Sequence, residues 1–375
     1  MKILQLGKFF PIKGGVEKVM LDMSKSLSEN GIHCDMLCAS LDKRDFFEEI
    51  IINKNSKIIV CPTIATFYKT KISYKLVGKL KKIAADYDII HIHHPDPFAT
   101  LALLLSNFDG KVVLHWHSDI INQKKLLLVY KPLQTWLLNK ANLILTTSDL
   151  YAKHSSFLQD FLYKTSTLPI GIEDKSNAID ADLVAQIKNT YQGKTIVYTL
   201  GRIVYYKGLE YFVEAATLLS DQFVCLIAGN GPLKDFLKQK IIDLKLQKKV
   251  MLLGELTDEE ANAYYAACDV FCLSSTVKSE AFAIVQLEAM SFGKPVISTN
   301  IFGSGVPWVN KNEVSGEVVE VENPKQIAAS IIKITESQER YKLYSKNARK
   351  RYNEKFTIVK MRDQLIKFYQ NLLSS

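Results

Sequence analysis

Two carboxylates, Glu280 and Glu288, stand eight residues apart in the stretch SEAFAIVQLEAM, which runs on into SFGKPVIS. The segment before it, VFCLSS, reads as a short apolar strand, TVKSEAFA as a loop, and AIVQLEAMSFG as a helix closed by Gly293. Glu280 then precedes the helix and Glu288 lies in its second turn. The amides of Phe282, Ala283, Ile284 and Val285 start that helix, where unpaired N–H groups favour an anion. Ionised carboxylates only accept hydrogen bonds, and a charged acceptor on a hydroxyl is worth about 1.5–3 kcal/mol. Taken singly, Glu288 could be an ion-pair partner and Glu280 a complement to the helix dipole.

Cations stand at a comparable place earlier in the chain. LGRIVYYKG ends a strand with Gly201 and Arg202 and carries Lys207 into the next helix. A guanidinium fork and an ammonium point charge together suit a diphosphate, although each alone could be an ordinary loop cation. AGNGP places Gly229 and Asn230 after another strand, where the backbone turns tightly or comes close to a ligand. Amides, two cations and two acceptors together describe a site for a sugar nucleotide.

Near the N-terminus, Gly14 and Gly15 separate the first strand from a helix, but the spacing is not the GxGxxG of dinucleotide binding. Five of the seven histidines gather at two strand ends, His91, His93 and His94 on DIIHIHH and His115 and His117 on KVVLHWH. A metal site, histidines satisfied by neighbours, and a substrate contact are all compatible with that cluster. His117, last on its strand and followed by Ser118 and Asp119, is the candidate substrate contact.

The elements that must position these residues alternate. KILQLG, HCDMLCAS, KIIVCP, DIIHIHH, KVVLHWH and NLILTTS read as strands separated by helices, and a second alternating series begins at KTIVYTLGR. Alternation of this kind predicts parallel sheets covered by helices, an α/β fold of two doubly wound, Rossmann-like domains facing a cleft, with ligands at the carboxyl ends of strands. The polar run EDKSNAIDADL serves as the linker. The expected division is an N-terminal domain over 1–178, a C-terminal nucleotide-sugar domain over 179–355 and a last helix over 356–375.

A chain of 375 residues accommodates two domains of about 150–200 residues each. No apolar run approaches the roughly 20 residues of a membrane span, and MKILQLGKFFP is too short for a signal-peptide core, so a cytoplasmic protein is expected. The six cysteines lack the tight pairs of a zinc site and read as buried thiols. The net charge of +9 is uneven, with eight lysines and no acid between Ile50 and Ala85. Residues 67–83, FYKTKISYKLVGKLKKI, read as a basic amphipathic helix that could rest on the anionic inner face of the cytoplasmic membrane, or as a solvated surface helix. Lysine on one helix, without interleaved arginine or a known module, argues against nucleic acid as a partner.

SEAFAIVQLEAMSFGKPVIS, together with GGVEKV, HWHSD, LPIGIE, LGRIVYYKG and AGNGP in that family's order, closely resembles the retaining family-four, group 1 glycosyltransferases of the GT-B fold. HWHSDIINQK and GSGVPWVN look most like members that build bacterial O-antigen or capsule on a lipid carrier. The resemblance implies transfer of a hexose from a GDP- or UDP-sugar to a glycan or lipid-linked glycan. Glu288 would hold the ribose and Glu280 the donor sugar. Arg202 and Lys207 would neutralise the departing diphosphate, Gly15 would admit the donor phosphate, and His117 would lie beside the transferred sugar. The last helix would cross back to the first domain. Ala283 stands where members often have glycine, and IFGSGVPWV departs from their usual Gly-Gly-acid. Neither Asp-x-Asp suits a metal: Asp86-Tyr87-Asp88 leads into a strand, and Asp180-Ala181-Asp182 fits helix capping. No metal or other cofactor is expected, and the acceptor proton would pass to the diphosphate. A sugar-nucleotide epimerase of the same fold and a non-catalytic sugar-binding protein are the alternatives.

Overall fold

The computed structural model describes residues 1–67, 70–120, 124–177 and 179–374. The chain forms two compact units, Met1–Gly171 with Ile358–Ser375, and Ile172–Thr357. The expected boundary residue Ala178 is outside the described residues, and the division falls between Gly171 and Ile172.

Among the described residues the first unit carries ten strands: β1 (Lys2–Phe10), β2 (His33–Lys43), β3 (Glu48–Asn53), β4 (Ser56–Thr63), β5 (Ala65–Phe67), β6 (Thr70–Ile72), β7 (Ile89–His94), β8 (Lys111–Trp116), β9 (Leu143–Thr146) and β10 (Thr165–Thr167). Eight make one sheet in the order β10-β9-β8-β7-β1-β2-β4-β3. All pairs are parallel except β3 with β4, a hairpin the sequence reading did not place. Ile3 to Gly7 of β1 are buried without alternation, the pattern of a strand covered on both faces.

The second unit has a six-stranded parallel sheet, β13-β12-β11-β14-β15-β16, built from β11 (Thr195–Leu200), β12 (Phe223–Ala228), β13 (Val250–Gly254), β14 (Val270–Leu273), β15 (Val296–Thr299) and β16 (Gly316–Val319). Its core gathers Phe212, Val213, Ile227, Leu237, Ile297 and Ile331, all nearly inaccessible. Fully burying an aliphatic side chain of this kind contributes about 1.5–3 kcal/mol.

Each sheet has a point where strand order reverses. In the first, β1 lies between β2 and β7; in the second, β11 lies between β12 and β14. Crevices outside the carboxyl ends of strands at such points are where open α/β sheets bind ligands.

Two expectations change. The basic stretch is not one helix: β5 and β6 form an antiparallel hairpin, and the helix spans only Tyr74–Ile83. Thr70 to Ile72 pair as a strand, and Ser73 precedes the helix. Tyr68 and Lys69 lie outside the described residues. Lys79 pairs with Glu49 at 3.2 Å, and the Lys75 Nζ donates to the Asp45 carbonyl at 2.7 Å. Nor is EDKSNAIDADL a free linker, since Asp174 is ion-paired with Arg349 and Asp180 caps the helix Ala181–Thr190. The tail forms two helices, the second matching the last helix expected over 356–375. Gln338–Lys355 belongs to the second unit. Ile358–Ser374 belongs to the first and buries Met361, Leu365 and Tyr369 along one face. Among the described residues no helix is long and apolar enough to cross a membrane.

Candidate functional site

The loops after β11 and β14 meet at the reversal point of the second sheet. Glu280 Oε2 lies 2.6 Å from Lys207 Nζ, and each side chain is 11% exposed. The Ser275 hydroxyl donates to the same carboxylate oxygen at 3.0 Å, and the Ser274 hydroxyl donates to the Lys207 carbonyl at 3.0 Å. Gly208 turns the chain at φ +56°, and a Cβ there would strike the Ser274 carbonyl, so the approach of the two loops requires glycine. Gly229, at φ +123°, faces the Gly201 carbonyl with no room for a side chain. The Ile203 amide donates to the Asn230 carbonyl at 2.9 Å, locking the β11 and β12 loops together. Arg202 is exposed and close enough to act on the Tyr206 phenol, whose pKa burial raises first and Glu280 next.

The helix Ile284–Ser291 follows directly. Its N-cap is Ala283, buried and held at φ +62°, a conformation L-residues adopt at a cost of about 1–2 kcal/mol. Phe282 is buried against Trp308 and Phe356, with ring centroids 6.2 and 6.1 Å away, and this anchors the helix entrance. Ile284 and Val285 are half-buried in the first turn. Glu288 accepts from the Tyr265 hydroxyl at 2.8 Å. Burial, and after it the Glu288 charge, hold that phenol protonated and therefore a donor. Ser304 closes the other side: its hydroxyl donates to the Glu280 carbonyl, and the Gly305 amide donates to the Ala281 carbonyl at 2.8 Å. The segment that departs from the common motif therefore braces the Glu280 loop.

In the first unit, Gly14 caps the helix Gly15–Glu29, its carbonyl accepting from the Lys18 amide at 3.0 Å. His91, His93, His115 and His117 occupy one face at the carboxyl ends of β7 and β8, while His94 stacks on Trp116 on the other. Burial pushes all five imidazoles down, His115 to about 3, so they are neutral at pH 7. Ligand atoms of His91, His93 and His115 lie within 4.8 Å of one another. The rings, however, are stacked with planes 8°, 29° and 24° apart, so their lone pairs run side by side. Zinc needs nitrogens converging at about 2.0–2.1 Å. Both nitrogens of His93 are already bonded, to Gln5 at 2.6 Å and His117 at 2.8 Å. His93 is thus committed to hydrogen bonds, whereas His91 Nε2 and both nitrogens of His115 are buried without a hydrogen-bond partner among the described residues.

The family described as "Glycosyl transferases group 1" matches residues 180–351, and "Glycosyltransferase Family 4" matches residues 13–156. O-antigen chain mannosyltransferase C of Escherichia coli is 30% identical over 377 residues, covering all of both chains. The chain belongs to the group 1 glycosyltransferases. D-rhamnosyltransferase WbpZ of Pseudomonas aeruginosa is 27% identical to this glycosyltransferase over 92% of its chain and 88% of WbpZ. Among solved structures, Anabaena HepE in complex with UDP superposes with a TM-score of 0.80 at 21% identity, over 99% of the transferase and all of HepE. The fold is that of the GT-B glycosyltransferases.

The transferase brings Lys207 and Glu280 into contact and sets Gly201, Gly229 and Asn230 in adjoining loops. Phe282, Ala283, Ile284, Val285 and Glu288 line one helix start. Gly14, Gly15 and His117 belong to the other unit. Sequence reasoning missed Ser275, Ser304 and Tyr265, which hold the two glutamates. The only available signal was the polar Ser274-Ser275 pair ending an apolar strand. Asp180 accepts from the Asp182 and Leu183 amides at 2.9 and 3.0 Å as a helix cap, and Asp88 accepts from the Lys2 amide at 2.7 Å.

Proposed function

We propose that this glycosyltransferase moves a hexose from a GDP- or UDP-sugar to a hydroxyl of a glycan or lipid-linked glycan in bacterial surface-polysaccharide synthesis, with retention and without a metal. The observation that carries the reading is the Lys207–Glu280 pair, buried at the sheet's reversal point and beside the amides that open the helix Ile284–Ser291. Support for the glycan acceptor comes from the O-antigen chain in the name of the Escherichia coli relative, and HepE was solved with UDP.

The Phe282–Val285 amides, Arg202 and Lys207 hold the diphosphate, and Gly201, Gly229 and Asn230 shape the loops around it. Glu288 accepts from the ribose and Glu280 from the sugar. In the first unit, Gly15 at its helix start, after Gly14, is assigned to a phosphate oxygen and His117 to a sugar hydroxyl. As the sugar–phosphate C–O bond breaks, negative charge grows on the diphosphate, where fixed cations and amides stabilise it without reorganising. The acceptor oxygen bonds to the anomeric carbon from the face the diphosphate leaves, and its proton passes to the diphosphate. Contact with an anionic membrane is assigned to the basic stretch, within which Lys81 and Lys82 are exposed.

A thermal-shift screen of nucleotide sugars tests the donor. The true donor at 100 times its Kd should add about 2.7 kcal/mol, and Glu288→Ala should lose that gain. Release of nucleoside diphosphate only after acceptor is added separates transfer from epimerisation. Retained activity in EDTA is expected, and activity restored only by manganese would refute the metal-free route.

A further inference from the structure

We propose that a directional hydrogen-bond relay through Cys34, Gln5 and His93 fixes the tautomer of His117, so that its imidazole meets substrate as an acceptor at Nδ1. Gln5 and His93 are then positioning residues. The inference rests on the assignment of His117 to a sugar hydroxyl and adds which kind of hydroxyl contact it makes.

The direction follows from one end of the chain of contacts. The Met20 carbonyl can only accept, so the Ser24 hydroxyl, 3.0 Å away, donates to it. Ser24 Oγ then accepts from the Cys34 thiol at 3.7 Å. Burial pushes Cys34 up to about 12, so it stays a thiol with its single proton committed to Ser24. Its sulfur is left to accept, and Gln5 lies 3.8 Å away. The end of the Gln5 amide facing Cys34 must therefore be the NH2. The same NH2 faces the Tyr369 hydroxyl at 3.4 Å, and Tyr369 in turn meets His91 Nδ1 at 2.5 Å.

The other end of Gln5 is its carbonyl oxygen, 2.6 Å from His93 Nε2. That nitrogen must carry hydrogen. His93 is fully buried and neutral, so its Nδ1 is bare. His117 Nε2, 2.8 Å from that bare nitrogen, must supply the proton. A neutral imidazole has one proton, and the Nδ1 of His117 is left as a lone pair with no hydrogen bond among the described residues. Reversing the Gln5 amide would reverse every later step and turn His117 Nδ1 into a donor. The state of one site imidazole is thus set by a fully buried amide on β1.

An acceptor at this point selects for a hydroxyl that can donate. A donor analogue with fluorine or methoxy in place of that hydroxyl offers no proton and leaves the lone pair unmet.

The test is two-bond 1H–15N correlation on the full chain with 15N-labelled histidine, with the His117 signals assigned by their loss in His117→Gln. Wild type should show His117 protonated at Nε2 with a bare, pyridine-like Nδ1. Gln5→Leu should mix or invert that tautomer and raise the donor KM about tenfold, the scale of one hydrogen bond. Tyr369→Phe, which leaves the Gln5–His93–His117 path intact, should not change the tautomer. A wild-type His117 protonated at Nδ1, or an unchanged tautomer in folded Gln5→Leu, overturns the relay. The wild-type spectrum needs no variant to fold. If His117→Ala leaves donor affinity unchanged, the substrate assignment fails, while the spectrum still decides the relay.

Discussion

Glu280 pairs with Lys207, and in the proposed function it also faces sugar hydroxyls. Removing one partner of a buried pair strands the other charge, a loss of about 3–5 kcal/mol. Glu280→Ala should therefore lose stability of that order as well as activity, measured by urea denaturation. Glu280→Gln, which keeps a polar partner for Lys207, should lose activity with a smaller stability cost. Ala283 is a second residue-scale case. Its φ of +62° strains an alanine, and glycine removes the strain while adding freedom to the unfolded chain. Ala283→Gly should raise stability by about 0.5–1 kcal/mol, read from the denaturation midpoint. At Ala283 an alanine therefore stands in a backbone conformation that favours glycine.

The helix Ile284–Ser291 is only eight residues long and depends on its neighbours. Arg349, on the helix Gln338–Lys355, donates to the Ser291 carbonyl at its end and also pairs with Asp174. A cation at a helix C-terminus is favourable, and here the same guanidinium ties in the segment that opens the second unit. Burial pushes the Asp174 pKa up, but hydrogen bonds from Arg349 and Ser176 outweigh it and bring it to about 2. A carboxylate with a lowered pKa stabilises the fold above its unfolded value of 3.8, and that contribution disappears as pH falls toward 2. With partial exposure screening the pair, the contribution is about 1 kcal/mol. Arg349→Leu should be less stable than wild type by at least that amount at pH 6, with a gap that narrows between pH 4 and 2. A gap independent of pH would assign Arg349 to packing alone.

At the scale of the whole molecule, the two units should respond differently to acid. Five buried neutral histidines lie in the first unit and none of them in the second. Their folded pKa values are depressed, so the unfolded chain takes up more protons below about pH 6.5, and stability present above that pH is lost as pH falls. Five such groups act in the same direction, against a domain stability of only about 5–15 kcal/mol. Hydrogen exchange near pH 5.5 should show the first unit opening before the second; equal protection would contradict the burial of this cluster. The sequence by itself determined the alternation of strands and helices, the placing of glycines and cations at strand ends, and the family of the chain, because periodicity and turn chemistry are written among near neighbours. It did not determine that Lys207 meets Glu280, that Ser304 and Tyr265 brace the glutamates, or that a tyrosine on the last helix meets His91. Those contacts depend on β11 lying beside β14, and on the return of the last helix to the first unit. Sheet order is settled by long-range packing, which leaves no local pattern in the chain. The basic stretch was misread for a related reason: lysines at helical spacing recur across Lys71 and Lys75, but strand pairing with β5 holds Thr70–Ile72 extended and overrides helical propensity there.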